Sequence, residues 1–179
     1  MEIVEAALRR IEEAIHRQAE SRTVTHDQVT DADLDELIAL MSEAASAFIG
    51  GDMRRYFALM NHTEDFTLMA PTGGDTIHGS DTSDEALEEM QRFFRRGQAT
   101  LEVVETYASG DLAVLVVVER QHGEVGDYPE QDWSLRVTLV FRRESSAWRL
   151  AHRHADALAH PIPFDHLASL ARGEVHREL

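Results

Sequence analysis

The sequence predicts an α+β domain with helices covering one face of an antiparallel sheet, and three observations predict it. Apolar residues recur at three- and four-residue spacing through the first half of the chain. From Thr100 onward they alternate at a spacing of two. Turn signals punctuate both halves, at Gly50-Gly51, Pro71-Thr72-Gly73-Gly74, Ser109-Gly110-Asp111 and Glu144-Ser145-Ser146. Helices followed by a meander of strands is the order of an α+β domain. A chain of 179 residues can bury a core of its own without staples.

Residues 2 to 20 place Val4, Leu8, Ile11 and Ile15 at helical spacing, and residues 21 to 30 are polar, so 1–30 reads as an amphipathic helix and linker. The clearest helix follows. Leu34, Leu37, Ile38, Met41, Ala45 and Phe48 form its apolar face, Thr30 or Asp31 caps it, and Gly50-Gly51 ends it. Asp52 caps a short helix with Met53, Tyr56, Phe57 and Met60 on one face. Phe66 to Ala70 is strand-like, and Ser83 or Asp84 starts a helix carrying Leu87, Met90, Phe93 and Phe94, closed by Gly97. Strands are expected at Thr100–Ala108, Leu112–Gln121, Leu135–Arg143 and Trp148–His154, with residues 122–132 as a long polar connection. The run Leu112–Gln121 is apolar on both faces at its centre, which puts it mid-sheet. The domain is read as 31–160, and 161–179 as a tail with a short helix carrying Leu167 and Leu170 after Pro161 and Pro163.

Charge and composition exclude several classes of function. A formal net charge of −16 opposes nucleic acid and anionic membrane surfaces as partners. The absence of cysteine removes disulfides, thiolate nucleophiles and zinc–thiolate sites. All 17 basic residues are arginine, which removes Schiff-base chemistry and a lysine general base. No apolar run reaches the length of a membrane helix, and the first residues lack a basic stretch followed by an apolar one, so a cytoplasmic location is expected.

The element order and several local motifs resemble the nuclear transport factor 2-like superfamily, in its SnoaL-like and ketosteroid-isomerase-like branches. The residues that carry the resemblance are Phe48-Ile49-Gly50-Gly51-Asp52, Glu64-Asp65-Phe66-Thr67, Ile77-His78-Gly79, Arg136-Val137-Thr138 and Trp148 to His154. The resemblance implies a cone-shaped fold with helices packed on a curved, mostly antiparallel sheet. It implies no single activity, since the superfamily holds isomerases, cyclases, dehydratases, epoxide hydrolases and binding domains. The late strands also resemble the association domain of calcium/calmodulin-dependent kinase, a non-catalytic module. The ketosteroid isomerase residues do not carry over: the base aspartate falls at Ala70 and the oxyanion tyrosine near Ala44 or Ala45.

The last strand gathers the polar groups that remain. Simple alternation puts Trp148, Leu150, His152, His154 and Asp156 on one face, toward the helices, with Arg136 and Thr138 beside them. The candidate catalytic residues are therefore His152, His154, Arg136 and Asp156. A histidine exchanges a proton near pH 7, a carboxylate orients it, and arginine stabilises an enolate. His-x-His with Asp156 also has the donor types of a metal site, but the resemblance implies neither metal nor cofactor. A one-residue slip would instead send Arg149 and Arg153 inward and both histidines outward. Phe48, Phe57, Met60, Met69, Trp133 and Trp148 are the candidate pocket-lining residues, with Trp133 placed as a lid. Two functions follow. One is binding of a small apolar ligand, with acid–base isomerase, cyclase or dehydratase chemistry on a carbonyl compound. The other is a non-catalytic homodimeric association or ligand-sensing module, paired through the outer face of the sheet.

Overall fold

The computed structural model describes residues 28–158 and 161–174. The expected helix at 2–20 lies outside them. Within them the chain runs α1 (Asp31–Gly50), α2 (Met53–Leu59), β1 (His62–Met69), β2 (Ile77–His78), α3 (Asp84–Phe93), β3 (Phe94–Ser109), β4 (Leu112–Val125), β5 (Tyr128–Asp132), β6 (Leu135–Glu144), β7 (Ala147–Ala157) and α4 (Phe164–Ala171). The sheet is curved and its order is β2-β1-β7-β6-β4-β3, with β5 beside the end of β4. All pairings are antiparallel except β1 with β7.

Local chemistry sets the helix boundaries. Thr30 accepts from the Asp33 backbone N–H while Asp33 accepts from that of Thr30, a reciprocal cap on α1. Gly51 ends the helix at φ 85, and a Cβ there would meet the Phe94 carbonyl at 2.3 Å. Leu37, Met41, Ala44 and Ala45 of α1 then pack on Leu115, Val117, Leu139, Phe141 and Leu150 of the sheet. This is the core, on the face of the sheet that α1 covers.

Three elements differ from the reading of the sequence. α3 stops at Phe93 rather than Gly97, and β3 starts at once with Arg96 at φ 56 and a bulge between Arg95 and Gln98. Gly97 continues the strand because it fits against α1: a Cβ there would sit 2.4 Å from the Ile49 carbonyl oxygen. The polar connection at 122–132 is largely a hairpin, turning at Gly126 (φ 58) between the end of β4 and β5. β1 starts four residues before the expected Phe66, at His62.

A fourth difference decides the site. β7 carries a bulge against β6: Phe141 pairs with Leu150, but Val140 pairs with His152, leaving Ala151 as the extra residue. Up to Leu150 the expected register holds, with Trp148 opposite Arg143 and Leu150 opposite the buried Phe141. Beyond Ala151 the parity inverts. Arg153 and Ala155 pair with the buried Leu139 and Val137, so they face the core. His152 and His154 pair with Val140 and Thr138 on the outer face.

Candidate functional site

The inner face at this end of the sheet carries charge inside an apolar core. Along β4 the buried series Ala113, Leu115, Val117 continues in phase to Glu119 and Gln121. Arg153, turned inward by the bulge, donates from Nη2 to Glu119 Oε2 at 2.6 Å. The side chains of the pair are 14% and 1% exposed. The Gln121 amide donates to the same oxygen at 2.5 Å, while Glu119 Oε1 has no hydrogen-bond partner among the described residues. A buried carboxylate oxygen without a donor is uncommon and costs free energy. Tyr56 of α2 completes the cluster. Burial holds its phenol above the ordinary range, with Arg153 opposing and Glu119 reinforcing, so it stays a neutral donor.

The residues chosen from the sequence fall elsewhere. His152, His154, Arg136 and Asp156 do adjoin one another, because Arg136 pairs with Asp156 and Thr138 with His154, but on the outer face rather than in the core. The bulge at Ala151 is the physical reason. His152 Nδ1 is hydrogen-bonded to Thr67 Oγ1 at 2.8 Å, His154 Nε2 lies 3.6 Å from Asp156 Oδ2, and Arg136 is exposed. Among the described residues, no three His, Asp or Glu side chains are grouped to hold a metal.

The six candidate pocket residues are dispersed. Phe48 packs against Tyr56 and Phe94, with ring centroids at 5.1 and 4.6 Å. Phe57 and the buried Met60 line a groove of about 380 Å³ with His62 and Arg149. Trp148 lines a separate groove of about 660 Å³ beside the N-terminal half of α1 and the β6–β7 hairpin. Met69 is 44% exposed on the outer side, paired with His154. Trp133 donates to the Gly123 carbonyl at 3.1 Å and meets the edge of Tyr128.

Gln121 and Tyr56 did not stand out in the sequence as polar site groups, and Arg153 entered only as the outcome of a one-residue slip. The signal for Glu119 and Gln121 was their phase with Leu115 and Val117, blurred by the valines at 114, 116 and 118 on the opposite face. Nothing in the local pattern announced the bulge that brings in Arg153.

A family model of the SnoaL-like domain matches residues 37–159. The chain belongs to that family, within the nuclear transport factor 2-like superfamily. No curated protein matches it. Among solved structures it is similar to a nuclear transport factor 2-like protein of Streptomyces avermitilis named as a candidate dehydratase. Identity is 20%, the TM-score 0.56, and coverage 74% of this chain and 100% of that one. It is also similar to the association domain of the C. elegans calcium/calmodulin-dependent kinase II, at 15% identity and TM-score 0.55, covering 70% and 96%. A cystatin-like protein of unknown function from Nostoc punctiforme gives 16%, 0.57, 76% and 98%. These likenesses show the fold, which serves ligand-binding and isomerase-type proteins. No helix among the described residues is long and apolar enough to cross a membrane.

Proposed function

We propose that the chain binds a small apolar carbonyl compound on the face of its sheet that α1 covers and catalyses an acid–base isomerisation, cyclisation or dehydration there. The observation that carries this reading is the unpartnered Glu119 Oε1, 1% exposed and held beside an arginine. In this reading Glu119 takes a proton from the carbon next to the carbonyl and returns it at a second position. Arg153 and the neutral Tyr56 phenol donate to the oxygen on which negative charge develops, in surroundings poor in competing water. In this reading the Gln121 side chain, which donates to Glu119, moves aside to admit the ligand.

The test is a screen of cyclic enones and β-hydroxy ketones for thermal stabilisation and turnover, with native mass spectrometry of the purified protein. Glu119→Gln is expected to keep a bound compound while lowering turnover about 100-fold or more. Turnover unchanged in Glu119→Gln, or no compound bound at millimolar concentration, overturns the reading.

A second reading is favoured by the outer face. Val114, Val116, Val118 and Val140 form a part-exposed apolar band across β4 and β6, bordered by His152, His154, Arg136 and Glu105. An apolar centre with a polar rim is the anatomy of a subunit interface, and a second copy is the partner proposed for it. In that assembly the two histidines belong to a seam and need no catalytic role.

A further inference from the structure

We propose that the groove of about 380 Å³ beside α2, the start of β1 and β7 binds a free α-amino acid with an apolar side chain, its two charges held by Glu64 and Arg149. A groove of this volume stands at the small end of ligand pockets, the size of one small molecule rather than of a peptide. Its lining shares no residue with the cluster of Glu119, Gln121, Arg153 and Tyr56.

Three features select that chemistry. The first is a pair of opposite charges that do not meet. Glu64 on β1 and Arg149 on β7 both line the groove, yet no ion pair joins them. Glu64 is exposed and bonds no other group among the described residues. Arg149 has only long contacts: Nη1 donates to the His62 carbonyl at 3.4 Å, and Nε lies 3.5 Å from Glu144 Oε2. Glu144 is held more closely by Arg142, at 2.6 Å. The Arg149 guanidinium therefore keeps donors for a carboxylate, whose shape its planar fork matches.

The second feature is an uncharged, partly aromatic wall. Phe57 meets the His62 ring edge-on at 5.7 Å, and the buried Met60 lines the groove with them. Burial pulls the imidazole down to about 4, so the ring is neutral at pH 7 and competes for neither charge of the ligand. Its Nε2 is buried without a partner among the described residues, an unmet hydrogen-bonding capacity in this wall. The third feature is the field of the whole chain. A net charge of −16 opposes a ligand that is only an anion, and Arg149 opposes one that is only a cation. A zwitterion meets neither penalty, and its side chain is left for the Phe57 wall. Ser80 and Thr82, on the loop after β2, add hydroxyls that can bond either charge.

The test titrates the full-length chain with L-phenylalanine in a calorimeter, beside 3-phenylpropionate, which lacks the ammonium, and phenethylamine, which lacks the carboxylate. L-Phenylalanine is expected to bind about ten-fold or more tightly than either. Glu64→Gln and Arg149→Gln alter side chains that reach solvent, so their melting transitions should be retained. Each is expected to weaken L-phenylalanine about ten-fold or more, while Glu119→Gln leaves its binding unchanged. Amide chemical shifts should move at residues 61–64 and 80–82 on saturation. The proposal is overturned by no binding of L-phenylalanine at about 10 mM, by either analogue binding as tightly, or by parental affinity in the folded Glu64→Gln and Arg149→Gln variants. Shifts confined to other parts of the domain, or binding lost in Glu119→Gln, also overturn it.

Discussion

Replacing Arg153 by methionine removes the cation 2.6 Å from Glu119 Oε2 and keeps the aliphatic bulk. The carboxylate then sits at 1% exposure with the Gln121 amide as its remaining donor among the described residues. Breaking a buried pair by removing one partner costs about 3–5 kcal/mol, because the other charge is left uncompensated. For a chain of this size that corresponds to a fall of about 10 °C in the melting temperature. Replacing both partners, as Glu119→Leu with Arg153→Met, removes the charge that must be desolvated. The double variant is expected to match the parent or exceed it by about 1–4 kcal/mol. Urea melts of the parent, both single variants and the double variant close a thermodynamic cycle. An Arg153→Met cost below about 1 kcal/mol would falsify the burial argument, and a double variant no more stable than Arg153→Met would refute the cost assigned to the lone carboxylate.

The remaining expectations use other parts of the fold. Burial beside Phe57 and Phe66 pulls the His62 imidazole down to about 4. The unfolded chain takes up that proton near pH 6.5, so stability is full above this value and is lost as pH falls toward 4. After discounting for the ring's partial exposure the loss is about 1–2 kcal/mol. Melts in a pH series should show it, and His62→Phe should flatten it. Gly97→Ala drives a Cβ into the Ile49 backbone at 2.4 Å, and urea melts should register a loss of about 2 kcal/mol or more. Deleting Ala151 should leave a folded domain by circular dichroism, since it removes only the extra residue and keeps Leu150 opposite Phe141, His152 opposite Val140 and Arg153 opposite Leu139. An unfolded variant would refute this account of the bulge. If the outer face pairs two copies, Val116→Arg should convert a dimer into a monomer in analytical ultracentrifugation, and a parent that is monomeric at about 100 μM would remove that reading.

Much of the architecture was legible because its causes are local. The cap at Thr30, the glycine stop at Gly51 and the apolar spacing from Leu34 to Phe48 specify α1 from neighbours within a few residues. The mid-sheet position of β4 followed from its doubly apolar centre, and β4 lies between β6 and β3. The hairpin at Gly126 was missed because its strands are polar and short, so alternation gave no contrast there. The inner face of β7 was assigned correctly at Trp148 and Leu150 and incorrectly at His152 and His154.

The sequence by itself determined the fold class, the order of elements and the chemical inventory: no thiol, no lysine, and a large acidic excess. Which groups of that inventory share the core was left to the tertiary structure. Side-chain direction along a strand has a period of two, so a single bulged residue inverts everything after it. At Ala151 that inversion depends on how β7 pairs with β6, which brings together residues far apart in the chain. The Glu119–Arg153 pair spans 34 residues and meets Tyr56 only because α2 packs over this end of the sheet. Local propensity has no term for such contacts, and the packed core selects them.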